Sequence, residues 1–93
     1  MATGKLSFDS MLKQQVMRLL PYLDQLNQQQ VKYVGRNNLL EHSGLNDNEL
    51  QKLIHDGNLP RHTMKIMGTK AYDTESTLKM LARYCGQYGY LVD

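Results

Sequence analysis

Glycine and proline divide the middle of this 93-residue chain into short segments, and their spacing constrains the fold more than any other feature. A Ser43-Gly44 break separates two short helical patterns, and Gly57 followed by Leu59-Pro60 stops the second one. Glycine ends helices because it readily adopts a left-handed conformation, and proline lacks the backbone amide that a continuing helix needs. The spacing therefore predicts two short helices joined by a tight turn and followed by a change of direction.

Polar residues that cap helices stand at the start of both segments. The first helix is predicted over residues 39–42, with Asn37 or Asn38 as its N-cap. Asn46 or Asp47 is expected to cap the second helix, because these side chains accept hydrogen bonds from amides in the first turn. Leu45, between the two helices, is the kind of apolar residue that fills such a turn. The second helix has an apolar face at helical spacing, made of Leu50, Leu53 and Ile54.

The run that follows Pro60 is typical of a β-hairpin. Residues 63–66 and 70–72 are predicted as its strands and residues 67–69 as its tip, which contains Gly68. Asp73 or Thr74 then caps a further helix, and Gly86 ends it. The core-facing stripe of that helix is predicted to contain Leu78, Leu81, Ala82 and Cys85.

An amphipathic pattern precedes this central region, after residues 1–6, which are expected to fray. Ser7 or Asp9 is a candidate cap, and Pro21 predicts a kink or break near Leu20, with a second segment running to about Gln29. The apolar stripe consists of Phe8, Leu12, Val16, Leu19, Leu20 and Leu23. Two interpretations stay open: this helix packs on the chain's own core, or Phe8, Leu12, Val16, Leu19 and Leu23 form a dimer or partner surface.

Two further strands are predicted outside the hairpin. Residues 31–34 alternate and are rich in strand-forming side chains, and Gly35 ends them. Near the C-terminus, Tyr88, Tyr90 and Val92 alternate with Gly89 and Leu91, which predicts a strand that pairs with residues 31–34 or lies on the hairpin. We therefore expect residues 84–93 to form a strand or tail.

Length and composition indicate one globular domain over residues 1–93. The chain is 41% hydrophobic and 22% charged, which is ordinary globular usage, and its core is expected to contain leucine, methionine and the six tyrosines. No apolar run is long enough to predict a membrane span, and the N-terminus has no apolar signal segment. Together with a single cysteine, these features predict a cytoplasmic protein.

Motifs for catalysis, metals or cofactors are not found in the sequence. His42, His55 and His62 fall on three predicted elements without the spacing of metal ligands, so we expect them to face solvent or a groove. No nucleophile elbow, phosphate-binding loop or zinc-protease motif appears, which predicts that the protein is not an enzyme. Base stacking by Tyr84, Tyr88 and Tyr90 is conceivable, but core packing is the favoured use of these side chains.

Residues 36–82 resemble the MerR-like winged helix-turn-helix of phage excisionases and AlpA-type regulators. The resemblance predicts a mainly α fold with a small β-hairpin, the wing, in which residues 31–83 form the winged helix-turn-helix and residues 7–30 an added N-terminal amphipathic helix. The residues that match the outline of the family are Leu40, Gly44, Leu45, Asn46, Leu50, Leu53, Ile54, Gly57, Leu59-Pro60, Gly68 and Tyr72.

The resemblance implies that residues 47–56 form a recognition helix in the major groove of DNA and that the wing contacts the backbone or minor groove. Asparagine and glutamine suit contacts to adenine, and lysine and arginine suit guanine or phosphate. The DNA-binding residues implied in this way are Arg36, Asn46, Asn48, Gln51, Lys52, His55, Arg61, His62, Lys65 and Lys70.

Two functions follow as hypotheses. The first is a small DNA-binding protein, an excisionase-like architectural factor or a transcriptional regulator of phage, plasmid or bacterial origin. The second is a winged-helix module that binds protein, such as a small phage-encoded inhibitor or anti-activator of a host complex. Charge motivates the second: residues 36–83 carry seven Lys/Arg against six Asp/Glu, and Asp47 and Glu49 make the first turn of the supposed recognition helix acidic.

Overall fold

The structure, a computed structural model, describes the backbone of residues 8–91 and the side chains of residues 10–91. This part of the chain is mainly helical, with a small antiparallel sheet. No helix in it combines the length and the apolar character needed to cross a membrane. Its elements in chain order are α1 (Phe8–Met17), α2 (Leu19–Gln28), β1 (Tyr33–Gly35), α3 (Arg36–Ser43), α4 (Asp47–His55), β2 (Met64–Ile66), β3 (Thr69–Asp73), α5 (Thr74–Tyr84) and a 3-10 helix (Tyr88–Leu91).

The predicted break in the N-terminal helix near Leu20 is confirmed, and it lies at Arg18. Pro21 is the third residue of α2, where its missing amide would have had no partner within the helix in any case. Proline therefore marks the first turn of the second segment, and the break comes just before it. The cap proposed at Ser7 or Asp9 lies outside the described side chains.

The stripe on α1 and α2 lies in the core, so the expectation that it forms a dimer or partner surface is wrong for the residues that the structure describes. Helix α2 packs mainly on α5, whose own apolar stripe covers it. Burial against this chain leaves those side chains no area for a second protein. The buried residues concerned are Leu12, Val16, Leu19 and Leu23, each at most 1% exposed, whereas the side chain of Phe8 is outside the described part.

Leucine dominates the core more than the composition predicts. Tyr72 is the largest fully buried side chain, but Tyr33 and Tyr88 are exposed. Methionine was expected inside, yet Met11 and Met17 are exposed on α1. Methionines of the hairpin are exposed as well, so this element shows apolar surface that the core does not cover.

The sheet has the order β1-β3-β2, with β3 antiparallel to both neighbours. Its hairpin turn consists of Met67 and Gly68, which both have positive φ (52° and 83°). Two such residues form the type of turn whose twist suits a two-residue hairpin loop. The hairpin prediction is thus confirmed, and its tip is one residue shorter than expected because Thr69 already belongs to β3.

Helix α3 begins three residues earlier than predicted, directly after β1. Gly35 is its N-cap and provides no side-chain hydrogen bond, so the expected caps Asn37 and Asn38 are ordinary residues of the first turn. The predicted end is confirmed: Gly44 is left-handed (φ 79°), and buried Ser43 donates from Oγ to the carbonyl of Leu39 at 2.7 Å. The same oxygen accepts from the amide of Leu45 at 3.0 Å and so fixes the turn into α4.

The C-terminal strand is a wrong prediction. Residues 88–91 form a 3-10 helix, which packs on α5 after the chain turns at left-handed Gly86 (φ 70°). Tyr90 and Leu91 are partly buried against the core. The apolar residues of this segment therefore pack on a helix instead of joining the sheet, and Val92 lies outside the described residues.

Candidate functional site

A cleft of about 270 Å³ separates α4 from the hairpin formed by β2 and β3. Helix α4 contributes one wall, and the segment before β2 together with β3 contributes the other. The lining contains no acidic side chain, and it consists of Gln51, Ile54, His55, Arg61, His62, Lys70 and Tyr72. An opening with fixed positive charge and no carboxylate attracts anions.

A second hollow, of about 390 Å³, lies beside the start of β1 and differs in its charge. Lys32 shares its lining with two carboxylates, those of Asp73 and Glu75. This hollow therefore has charges of both signs, whereas the charged side chains of the cleft between α4 and the hairpin are all basic. The cleft between α4 and the hairpin is therefore the stronger candidate site.

Helix α4 owes its position in the cleft wall to a capping box. The Asn46 side chain accepts from the Glu49 amide at 2.8 Å, and the Glu49 carboxylate accepts from the Asn46 amide at 3.0 Å. These two bonds satisfy amides that the first turn would otherwise leave unpaired. The prediction of Asn46 as the N-cap is confirmed, and its side-chain oxygen is committed to the helix.

Ion pairs occupy the remaining charges around α4. Asp47 Oδ1 lies 2.7 Å from Arg36 Nη2, which ties the start of α4 to the start of α3. Lys52 Nζ lies 3.0 Å from Asp56 Oδ2, one turn further along the chain. Of the acidic residues that argued against a DNA-facing helix, Asp47 is thus paired with a cation, and Glu49 accepts from a backbone amide in the capping box. The cations Arg36 and Lys52 are held in ion pairs.

The hairpin has the opposite arrangement. Lys65 pairs with Lys70 across β2 and β3, so the two side chains leave the same face of the sheet at neighbouring positions. Within the described side chains, Arg61, Lys65 and Lys70 form no ion pair with a carboxylate. The positive charge of the hairpin is therefore available to a ligand.

Tyr72 belongs to the wall of the cleft on the β3 side. Its side chain is fully buried, and the ring of His62 lies edge-on to it with 6.5 Å between centroids. Burial raises the pKa of the Tyr72 hydroxyl, although the nearby Arg36 guanidinium lowers it in part. The hydroxyl therefore stays protonated at neutral pH and keeps its ability to donate a hydrogen bond.

The cleft brings together half of the residues that the sequence predicted for DNA binding. Gln51, His55, Arg61, His62 and Lys70 all line it. The other five lie outside the lining: Arg36 and Lys52 in ion pairs, Asn46 in the capping box, and Asn48 and Lys65 on exposed surface. The cap employs the side-chain oxygen of Asn46, and the ion pair employs Nη2 of Arg36.

Sequence reasoning did not name Tyr72 as a site residue, although it had matched Tyr72 to the wing of the resembled family. The signal was present in the spacing. Residues two apart on a strand point to the same face, so Tyr72 shares the face of Lys70. What the spacing did not reveal is that the hydroxyl is buried and has no hydrogen-bond partner among residues 10–91.

Metal ligation finds no support in the described residues, among which no group of three or more His, Cys, Asp or Glu side chains is placed to hold an ion. His55 and His62 share the cleft, while His42 stacks on Tyr22 with 3.7 Å between ring centroids. The histidines at the cleft are thus available as hydrogen-bonding groups.

Comparison of the chain with protein-family models, with curated proteins and with solved structures finds no match in any of the three.

Proposed function

We propose that this protein is a winged helix-turn-helix that binds duplex DNA, as an excisionase-like architectural factor or a transcriptional regulator in the cytoplasm. The observation that carries the proposal is the cleft between α4 and the hairpin, whose lining has cations and hydrogen-bonding side chains but no carboxylate. Phosphate contacts supply much of the affinity of any DNA-binding protein, and they require unneutralised cations.

The order of elements around the cleft supports this proposal. Helices α3 and α4 are joined by a three-residue turn, residues 44–46, and the hairpin follows α4 on the other side of the cleft. In helix-turn-helix proteins the second helix enters the major groove and presents its polar face to base edges. Gln51 and His55 lie one turn apart on α4 and face the cleft, so these two are our candidates for contacts to bases.

Phosphate contacts fall to the hairpin in this proposal. Arg61 and Lys70 line the cleft, and Lys65 stands beside Lys70 on the neighbouring strand. Contacts of this kind fix the register of a protein on DNA without reading its sequence. The hairpin would then provide affinity and α4 selectivity.

Fluorescence anisotropy with a labelled duplex of mixed sequence, measured over a series of salt concentrations, tests the proposal. We expect salt-dependent binding, and we expect Arg61→Ala to reduce the slope of log affinity against log salt by about 1. Arg83→Ala is the matched control, because Arg83 is an exposed arginine on α5 outside the cleft lining. Absence of salt-dependent binding by the wild-type protein would refute the proposal.

The hairpin also favours the second candidate, a winged-helix module that binds protein. Met67 is 99% exposed at its tip, and Ile66 and Met64 are 48% and 42% exposed on β2. Adjacent exposed apolar side chains are typical of protein contact surfaces. Ile66→Ser with Met67→Ser would weaken a protein complex in a pull-down treated with nuclease. If the same variant loses the protein complex but still binds DNA, the exposed apolar side chains of the hairpin contact a protein partner and not DNA.

A further inference from the structure

The tip of the hairpin exposes apolar side chains that the described part of the chain does not cover. Met67 is 99% exposed at the turn, and Ile66 beside it is 48% exposed. The backbone of Met67 is left-handed (φ 52°), a conformation that favours glycine, asparagine or aspartate in a two-residue hairpin turn. A methionine there costs conformational energy and gains no burial within the described residues. Contact with a ligand would explain a methionine at this position.

Positive charge lies directly behind this tip. Lys65 and Lys70 are cross-strand partners, one residue pair behind the pair of Ile66 and Thr69 that flanks the turn. Neither lysine has a carboxylate partner among the described side chains. An apolar tip followed by unpaired cations complements a ligand with an apolar interior and a negatively charged rim. Duplex DNA has this pattern, because its stacked bases lie between two chains of phosphates.

The dimensions of the hairpin agree with the minor groove of B-DNA. Met67 lies two residues beyond Lys65, which corresponds to about 7 Å along a strand that rises about 3.3 Å per residue. The minor groove is about 7.5 Å deep and about 6 Å wide. A tip that reaches the floor of this groove therefore leaves the lysines at the level of the phosphates on its edges. Gly68, the other residue of the turn, has no side chain and keeps the tip narrow.

Continuity with the proposed DNA interface favours DNA over a protein as the ligand of the tip. Lys70 belongs both to the lining of the cleft and to the lysine pair behind the tip. The hairpin follows α4 along the chain and lies on the other side of the cleft. With α4 in the major groove, a hairpin on its flank is in a position to reach the adjacent minor groove.

We propose that Met67 is an apolar wedge, which enters the minor groove, inserts between two base pairs and kinks the duplex. Methionine is among the side chains that proteins insert in this way. Insertion unstacks one base step, and burial of the methionine offsets part of that cost. Steps such as TA unstack most easily, so the wedge also predicts a preference for them. This inference rests on the proposed function and adds to it a means by which the protein bends DNA.

Three variants test the wedge. Met67→Ala shortens the side chain at an exposed position and removes no packing, so the variant is expected to fold. Met67→Leu is the rescue, because leucine also serves as a wedge. Met11→Ala is the matched control, since Met11 is a 53% exposed methionine on α1. Folding of all three is checked by circular dichroism and thermal unfolding.

Fluorescence of 2-aminopurine measures insertion directly, because this base becomes brighter when it loses a stacking neighbour. It replaces the adenine of a central TA step in a duplex of A·T pairs, and an A-tract duplex of the same composition is the comparison. We expect the wild-type protein, Met67→Leu and Met11→Ala to raise the fluorescence at saturation. Met67→Ala should leave it close to that of the free duplex. The ratio of affinities for the TA duplex and the A-tract duplex should fall at least about threefold in Met67→Ala.

Duplex binding and fluorescence separate this inference from the proposed function. Salt-dependent binding without a rise in fluorescence by the wild-type protein would leave the proposed function standing and overturn the wedge, as would an equal rise in Met67→Ala. Absence of salt-dependent binding would refute both. Met67→Ala could also bind and unstack the duplex as the wild type does and yet lose a protein partner in a nuclease-treated pull-down. In that case the tip contacts protein, and the inference is overturned.

Discussion

Helix α4 and the hairpin face each other across one cleft, yet they use their charged side chains in opposite ways. Asp47 and Lys52 of α4 are paired with Arg36 and Asp56, and Glu49 closes the capping box. Lys65 and Lys70 of the hairpin lie beside each other with no carboxylate partner among the described side chains. The helix thus has its charges satisfied from within, and the hairpin does not.

Counting formal charges is therefore a poor guide to where a ligand binds. Formal charge alone argues against DNA binding by the helix and its flanks, but each carboxylate there has a partner. The side chains that α4 contributes to the cleft are Gln51, Ile54 and His55, none of which is a carboxylate. A surface of this kind selects by hydrogen bonds, while the hairpin attracts by charge.

The largest effect is expected from the buried side of α4. Leu53 is 1% exposed, and Leu53→Ala should reduce the free energy of unfolding by about 2–5 kcal/mol, because it leaves a cavity in the core. Met67→Ala at the exposed hairpin tip should change it by about 0.5 kcal/mol or less. Urea denaturation measures both. Similar losses of stability in the two variants would mean that the Met67 side chain is packed and not exposed. They would contradict the difference described here between α4 and the hairpin.

A smaller effect is expected at the helix cap. Asn46→Ala removes the capping box and should cost about 0.5–2 kcal/mol of stability. Duplex affinity, measured where the variant is fully folded, should stay unchanged because the side chain is committed to the helix. Asn48→Ala is the control in the same turn, with an exposed side chain and no cap to lose. A drop in duplex affinity with Asn46→Ala alone would show that the cap residue contacts DNA.

The third prediction is that the free energy of unfolding falls at alkaline pH. Burial raises the pKa of Tyr72 above the value of about 10 found in an unfolded chain, so the unfolded state releases this proton first. The stability linked to Tyr72 is therefore complete below pH 10 and is lost as the pH rises through the folded pKa. Tyr72→Phe should make the loss shallower without abolishing it, because burial also raises the pKa of Tyr22 and Cys85. An unchanged fall of the free energy of unfolding in Tyr72→Phe would contradict this.

The smallest effect is expected from the ion pair on α4. Lys52→Ala breaks an exposed pair one turn apart, which is worth about 0.3–0.5 kcal/mol. Raising the salt concentration should shrink the difference further, since exposed pairs are screened. Chemical denaturation at low and high salt measures it. A loss that is large and insensitive to salt would show that Lys52 has another role.

Local signals in the sequence predicted much of the fold. Gly44 and Gly57 are left-handed where helices were expected to end, and Asn46 caps α4 as proposed. The Met67-Gly68 tip lies where the hairpin was predicted to turn. Each of these features depends on conformational preferences of one or a few adjacent residues, so it can be inferred without knowledge of the rest of the chain.

Features that depend on distant partners could not be inferred in this way. Helix α3 starts at Arg36, whose side chain pairs with Asp47 on the next helix, and nothing near Arg36 in sequence indicates that contact. The apolar stripe of α1 and α2 left open both packing on the chain's own core and a partner surface, and only the structure shows that α5 covers it. The C-terminal alternation around Tyr90 was likewise outweighed by packing on α5.

The residue types at the candidate site were predictable from the sequence. Which of these side chains are paired and which are unpaired was not. Lys52 and Lys70 are both lysines, yet Lys52 is paired with Asp56, whereas Lys70 has no carboxylate partner among the described side chains. The i,i+4 spacing from Lys52 to Asp56 was a readable sign of that pair. Whether the Tyr72 hydroxyl has a hydrogen-bond partner depends on all the side chains packed around it, so the structure was needed to show that it has none within the described part of the chain.

Duplex affinity as a function of salt, in two variants that each lose two lysines, tests the central contrast most directly. One variant combines Lys65→Ala with Lys70→Ala in the hairpin, and the other combines Lys52→Ala with Lys79→Ala, both from helical ion pairs. The change in net charge is the same. We predict that the hairpin variant reduces the salt slope by about 2 and that the helix variant reduces it by clearly less. Equal slopes in the two variants would contradict the account.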